Sequence, residues 1–178
     1  STESILAGID QVPAETVFVL PNNGNIIMAA QQCQGLTEKN VVVIPSKTVP
    51  QGITAMMNVD PEAEVASITE AMTEALSTVT TSQITYAARD SDFDGFAINE
   101  GDYLALLDGK LFGTERDITS LLTRLAALAA EREAAFVTLF YGEGVSQEEA
   151  EAAQALFTEA CPETEISLLS GGQPVYYY

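Results

Sequence analysis

The sequence predicts an α/β protein of two lobes, and three observations carry that prediction. A strand, a helix and a second strand fall within about thirty residues near the start, the pattern of a parallel βαβ unit. A run of short alternating segments follows, separated by Asn, Asp and Gly turns, the pattern of an antiparallel meander. The last third returns to amphipathic helices alternating with apolar strands. A chain of 178 residues suits one domain or two small lobes, and it buries a core without disulfide or metal staples. The lobes are expected over 1–78, a βαβ unit with an Asp60-capped helix, and 79–178, a mixed sheet containing the meander with helices packed on it.

Taken in order, Thr16-Val17-Phe18-Val19-Leu20 is a short β-branched and aromatic run, suited to a buried strand. Pro21-Asn22-Asn23-Gly24-Asn25 is a turn. Ile26 to Gln34 reads as a helix with Ile26, Ala29, Ala30 and Cys33 on one face, stopped by Gly35. Val41-Val42-Val43-Ile44 is the second buried strand, ended by Pro45. Residues 46–52 are a loop leading into a short helix, Ile53–Met57. Asp60-Pro61-Glu62 has the form of a helix start, with a capping acid, a proline in the first turn and a second acid. Val65, Ile68, Met72 and Leu76 then share a buried stripe.

The character changes near residue 78. Thr78–Ala88 is threonine-rich, with Ile84 and Tyr86 alternating against polar neighbours. Phe96–Ile98, Tyr103–Leu107 and Lys110–Phe112 read as further strands, turned by Asn99–Asp102 and by Asp108-Gly109. Arg116–Arg132 is the longest helix, striped by Ile118, Leu121, Leu122, Leu125, Leu128 and Ala129. Phe136–Phe140 is a strand. Ser146 and Glu149 form a capping box opening a helix to Ala160. Ile166–Leu169 is the last complete strand, and Pro174–Tyr178 lies within what reads as one more, as expected of a fragment of a longer protein.

Composition excludes several functions. The chain has 26 acidic and 7 basic residues, net −19, and no histidine. There is thus no Ser-His-Asp triad, Cys-His pair or HExxH helix. Seven scattered cations do not neutralise a run of phosphates, so no nucleic-acid partner is expected. The same field repels anionic lipid surfaces, and no apolar run approaches a membrane span, so no membrane insertion is expected. Cys33 and Cys161 lack CxxC spacing and suit two free buried thiols in a reducing cytoplasm.

Four places invite a functional reading. Asn22, Asn23 and Asn25, before a helix, could offer amides to an anion, against the plainer role of a capped βα turn. Ser46-Lys47-Thr48 has the tail of a phosphate loop without its glycines, which leaves a loop lysine. Asp90-Ser91-Asp92-Phe93-Asp94-Gly95 opens like an EF-hand loop, making Asp90, Asp92 and Asp94 weak metal candidates. The twelfth ligand position is Gly101, however, and the flanks are strands, so an acidic turn is favoured and no metal is expected. Glu148, Glu149 and Glu151 complement a helix dipole and form an acidic face that would attract a basic patch on a partner. No residue set assembles into a catalytic centre.

The motifs in their order resemble a known family. Val17 to Gln31 is similar to the opening of the C-terminal region of the bacterial fatty acid kinase ATP-binding subunit, a family also described as dihydroxyacetone-kinase-like or Dak phosphatase. Val41 to Gly52 is similar to its next motif. Thr85–Asp90, Asp94-Gly95, Gly101–Tyr103 and Gly171–Tyr176 follow in family order. The resemblance implies a DegV-like fold. It implies a non-catalytic, cytoplasmic module that engages a DegV-type fatty-acid-binding protein subunit, so that the acyl carboxylate is phosphorylated. ATP and magnesium would belong to an absent kinase domain, with no cofactor in this chain. The alternative is a DegV-like module that holds a fatty acid itself.

Overall fold

The computed structural model describes residues 1–93 and 95–178. The chain divides into two compact units, Ser1–Thr81 and Ser82–Tyr178, each described by itself.

The first unit contains α1 (Thr2–Gln11), β1 (Thr16–Val19), α2 (Ile27–Gln32), a 3-10 turn (Cys33–Gly35), β2 (Asn40–Val43), α3 (Val49–Met57) and α4 (Val65–Leu76). β1 and β2 pair in parallel, with Val17 opposite Val41, as two buried strands joined by a helix must. α1 is an element the sequence reading leaves unassigned. Ser1 caps it by accepting the Ser4 N–H at 3.2 Å, and Lys39 donates to the Ile9 carbonyl at its C-terminal end at 3.0 Å. Ile9 packs with Val17, Cys33 and Val41 in one cluster.

Two helix starts differ from expectation. α3 begins at Val49, not Ile53. Thr48 accepts the Gln51 N–H at 3.2 Å, and Pro50 falls in the first turn, where its missing N–H has no helical partner to lose. α4 begins at Val65, not at Asp60. There the Asp60 carboxylate accepts the Glu62 N–H at 3.0 Å and its carbonyl accepts that of Ala63 at 3.1 Å, closing a tight turn instead of a helix. The α4 stripe buries Ile68, Met72 and Leu76 against Ile44 and Ala55, and Ala75 is buried as well. Val65, expected in that stripe, is 36% exposed because it opens the first turn.

The second unit contains β3 (Ser82–Tyr86), β4 (Ser91–Phe93), β5 (Phe96–Ile98), β6 (Tyr103–Leu107), β7 (Lys110–Glu115), α5 (Ile118–Glu131), β8 (Phe136–Tyr141), α6 (Gln147–Ala160) and β9 (Glu165–Ser170). β3, β6 and β7 form an antiparallel sheet in that order, β4 and β5 an inserted hairpin, and β8 and β9 a parallel pair. The β6–β7 loop has two residues, Asp108 and Gly109, at φ 49° and 82°, the positive angles that two-residue hairpins require. α5 starts after Asp117, which caps it through the Ser120 N–H at 2.8 Å, and equals α6 at 14 residues instead of exceeding it.

The last residues form no regular strand, contrary to expectation. They are bound one by one: Tyr177 N–H donates to the Ile84 carbonyl at 2.9 Å, Ile84 N–H to that of Tyr178 at 3.0 Å, and Gly142 N–H to that of Tyr177 at 2.9 Å. The tail thereby ties β3 to the end of β8. Tyr177 and Tyr86 each meet the Tyr103 ring edge-on, at 5.6 and 5.7 Å. The core beneath joins Ile84, Leu121, Leu125, Leu139 and Phe157. Among the described residues no helix is long and apolar enough to cross a membrane.

Candidate functional site

Parallel strands deliver their following loops to the same edge of a sheet. The loops after β1 and β2 therefore meet, and the structure joins them at one pair. The Asn22 N–H donates to the Ser46 hydroxyl at 3.0 Å, and that hydroxyl donates to Asn22 Oδ1 at 2.8 Å. Ser46 is fully buried, and Asn22 holds φ at 56°, a region asparagine tolerates better than most residues. The Asn22 carboxamide lies over Gly52 of α3, where a Cβ would overlap it. Thr48, besides capping α3, shares a hydrogen bond with Thr81 at 2.9 Å. Gln51 crosses the loop, accepting the Lys47 N–H at 2.7 Å and donating to the Leu76 carbonyl at 3.2 Å. Asn23 accepts the Asn25 N–H at 2.9 Å, and both side chains are exposed, as is Lys47.

Asn22, Ser46 and Thr48 thus belong to one interlocked loop cluster of the first unit. Its chemistry is that of a scaffold. The Ser46 proton goes to an amide oxygen, which is no base, so the hydroxyl is not activated as a nucleophile. Lys47 is the only cation of the two loops. Beside the cluster runs an open groove of about 450 Å³ lined by Leu20, Asn22, Gly52, Ile53, Met56 and Met57. The sequence reading passes over these α3 side chains. The signal available was the absence of any charged residue from Val49 to Met57.

Glu148, Glu149 and Glu151 belong to the second unit, exposed along the first turns of α6. The Ser146 hydroxyl accepts the Glu149 N–H at 3.2 Å, and Glu151 accepts from the Gln147 amide at 3.1 Å. The Tyr178 hydroxyl donates to the Glu149 carbonyl at 3.4 Å. Burial raises the Tyr178 pKa above its ordinary 10.0, and the negative charge of Glu149 adds to the effect.

Asp90 accepts the Glu100 N–H at 2.7 Å, and Asp92 pairs with Ala97 in the β4–β5 ladder. Asp94 lies outside the described residues. Among those described, no three Cys, Asp or Glu are grouped to hold a metal ion. Cys33 and Cys161 are free and buried, their thiols donating to the Ala29 and Ala126 carbonyls at 3.4 Å each.

Comparison with known proteins places this architecture. The model of the FakA-like family, the C-terminal region of fatty acid kinase A-type proteins, matches residues 1–178, the whole chain. The chain belongs to that family. This FakA-like C-terminal chain is 40% identical over 178 residues to protein YloV of Bacillus subtilis strain 168. It is 30% identical over the same span to an uncharacterized protein of Staphylococcus aureus strain USA300. It spans about a third, 32%, of the length of each of these relatives. Its fold is DegV-like. The Streptococcus pneumoniae fatty acid kinase B3 protein, solved loaded with linoleic acid, superposes with a TM-score of 0.69 at 13% identity, over 99% of this chain and 70% of that one. A DegV family protein of Eubacterium eligens, solved loaded with heptadecanoic acid, gives 0.66 at 13% identity, over 96% and 70%. At such identities the likeness is one of fold.

Proposed function

We propose that this chain is the non-catalytic C-terminal module of a fatty-acid-kinase-like protein. It engages a DegV-type fatty-acid-binding protein while a kinase domain elsewhere in the parent phosphorylates the acyl carboxylate. The observation that carries this reading is the family match over the whole chain, a chain about a third as long as its relatives. ATP and magnesium belong, in this reading, to the kinase domain. The loop cluster supports it, because the Ser46 hydroxyl is committed to Asn22 and no run of glycines precedes Lys47 to cradle a phosphate.

A second reading, that the module holds a fatty acid itself, is favoured by its fold, shared with two proteins solved with fatty acids bound. Against it stand a loop hydroxyl already committed to an amide and a single loop cation to face a carboxylate.

Calorimetric titration of this chain with a DegV-type protein of the same organism, loaded with linoleic acid, tests the first reading. A stoichiometric complex is expected, with no ATP hydrolysis by this chain alone. Failure to bind, or magnesium-dependent turnover by the purified chain, overturns it. An acyl chain carried through purification and seen by native mass spectrometry decides for the second reading.

A further inference from the structure

Asn23 stands apart from the other asparagines of the chain, because it alone precedes a glycine. Asn25, Asn40 and Asn58 precede the β-branched residues Ile26, Val41 and Val59. Asn22 precedes Asn23, and its Oδ1 accepts from the Ser46 hydroxyl at 2.8 Å. Asn99 precedes Glu100, whose N–H donates to Asp90 at 2.7 Å. Asn23 and Gly24 are both exposed. Among the described residues no hydrogen bond takes the Gly24 N–H. A Cβ at Gly24 would have one neighbour, Lys47 Cγ at 3.9 Å, so the space beside this nitrogen is open.

The combination has a chemical consequence, because an asparagine carboxamide can be attacked by the backbone nitrogen that follows it. A side chain on the following residue hinders that approach, and glycine has none. Asn23 Oδ1 accepts the Asn25 N–H at 2.9 Å, which draws electron density from Cγ and makes it the better electrophile. Hydroxide removes the Gly24 N–H proton. The Gly24 nitrogen then bonds to Asn23 Cγ and the Cγ–Nδ2 bond breaks. Nδ2 leaves as ammonia, its third hydrogen taken from water, and a succinimide ring remains. Water opens that ring at either carbonyl, giving aspartate or isoaspartate. From Thr16 to Val59 the only charged residues are Glu38, Lys39 and Lys47, in a chain of net charge −19. With the Lys47 stem beside Gly24, this loop therefore repels hydroxide less than the acid-rich remainder of the chain does.

We propose that Asn23 is a site of deamidation, and that isoaspartate formed there opens the lock between Asn22 and Ser46. In isoaspartate the main chain runs through Cβ and Cγ, and the former main-chain carbonyl becomes a free carboxylate. One carbon is thereby added between Asn22 and Gly24. The turn that the Asn23 carbonyl closes on the Ile26 N–H, at 3.0 Å, is then no longer a turn of the main chain. Asn22 is the residue directly before it. Its φ of 56° and its N–H bond to the Ser46 hydroxyl at 3.0 Å both depend on the ordinary spacing of peptide units. The lengthened chain displaces Asn22 from Ser46. Aspartate, the other product, keeps the spacing and the lock, and adds only a negative charge near Lys47. The co-reactant is water, so the site operates whichever partner or ligand the module takes.

Peptide mapping by mass spectrometry, on the folded chain incubated in mildly alkaline buffer, tests the site. The peptide holding Asn23 should gain the mass of an amide turned acid, at a rate that rises in proportion to hydroxide. Gly24→Val should convert at least about tenfold more slowly, through the side chain it adds. Should that variant misfold, Gly24→Ala makes the same comparison with a single methyl group, for which the space is open. Absence of conversion at Asn23, or conversion no faster than at Asn25, overturns the site. The isoaspartate form, separated by ion exchange, should unfold in urea at a lower midpoint, close to that of Ser46→Ala. Asn23→Asp, which carries the charge without the added carbon, should unfold as the parent chain does. An isoaspartate form with the parent's midpoint, or an Asn23→Asp variant that falls as far, overturns the opening of the lock.

Discussion

The hydroxyl of Ser46 and the backbone and side chain of Asn22 form a closed pair, each giving and receiving one hydrogen bond, at 2.8 and 3.0 Å. Ser46 is fully buried and the pair it forms with Asn22 is part-buried, so water replaces the lost bonds only in part. Ser46→Ala should therefore destabilise the chain by about 1–3 kcal/mol in urea unfolding, the penalty of leaving Asn22 N–H and Oδ1 without this partner. An unchanged midpoint would show that the loops are held by something else.

Gly52 admits the Asn22 carboxamide, and a methyl group there would overlap it. Gly52→Ala is expected to destabilise by about 1–3 kcal/mol. Asn22→Gly removes the obstructing side chain and suits the positive φ of that position. The double variant should then be more stable than the sum of the two single effects predicts. Strict additivity measured by chemical denaturation would separate the two positions.

Asp117 caps α5, and its hydrogen bonds with Ser120, the side-chain bond foremost, hold its carboxyl below the ordinary 3.8. A depressed folded pKa means that the stabilisation is present above the unfolded value and fades as pH falls through the folded one. Asp117→Ser keeps a capping oxygen but removes this titration. Its melting temperature should fall less steeply than the parent's on going from pH 5 to pH 2, whereas Asp117→Ala should lower it across the whole range.

Glu133 follows α5 at φ 51°, its N–H reaching the Ala130 carbonyl at 3.1 Å. Glycine adopts that conformation without a Cβ penalty. Glu133→Gly should stabilise the chain by about 1 kcal/mol, seen as a higher urea midpoint. A lower midpoint would show that the glutamate side chain contributes something the backbone does not reveal.

Glu148, Glu149 and Glu151 offer a different kind of test, because a field acts on encounter more than on the final complex. Changing all three to glutamine should slow association with the DegV-type partner at low salt and flatten its salt dependence, with a small change in Kd. Stopped-flow association at two ionic strengths measures this. An unaltered rate and slope would remove the α6 face from the encounter.

Where the chain's own chemistry leaves one choice, sequence and structure agree. The apolar runs at Val17 and Val41 could only be buried strands, and the helix between them forces a parallel pair. Asp108-Gly109 permits little but a tight hairpin. Disagreement arises where local signals compete. Asp60-Pro61-Glu62 suits a helix start and a tight turn alike, and Asp60 takes the turn. Pro50 and Gly52 argue for a loop, yet Thr48 supplies a cap and Asn22 fills the space a side chain would need. That the loops after β1 and β2 meet is legible, because parallel strands deliver them to one edge. The exposure of Met56 and Met57 is not, because it depends on what the rest of the unit leaves uncovered.

The tail has a bearing on how the protein is made. Thr85 donates to the Val175 carbonyl across 90 residues of sequence, and Ile84 waits for Tyr177 and Tyr178. During synthesis the first unit has all its residues once Thr81 has left the ribosome, and it can fold while translation continues. The second cannot close until Gln173 to Tyr178 have emerged. Until then the β3 backbone at Ile84 and the end of β8 at Gly142 stay open to other strands. A nascent chain stalled shortly before Gln173 should accordingly display a folded, protease-resistant first unit attached to a second that chaperones still hold.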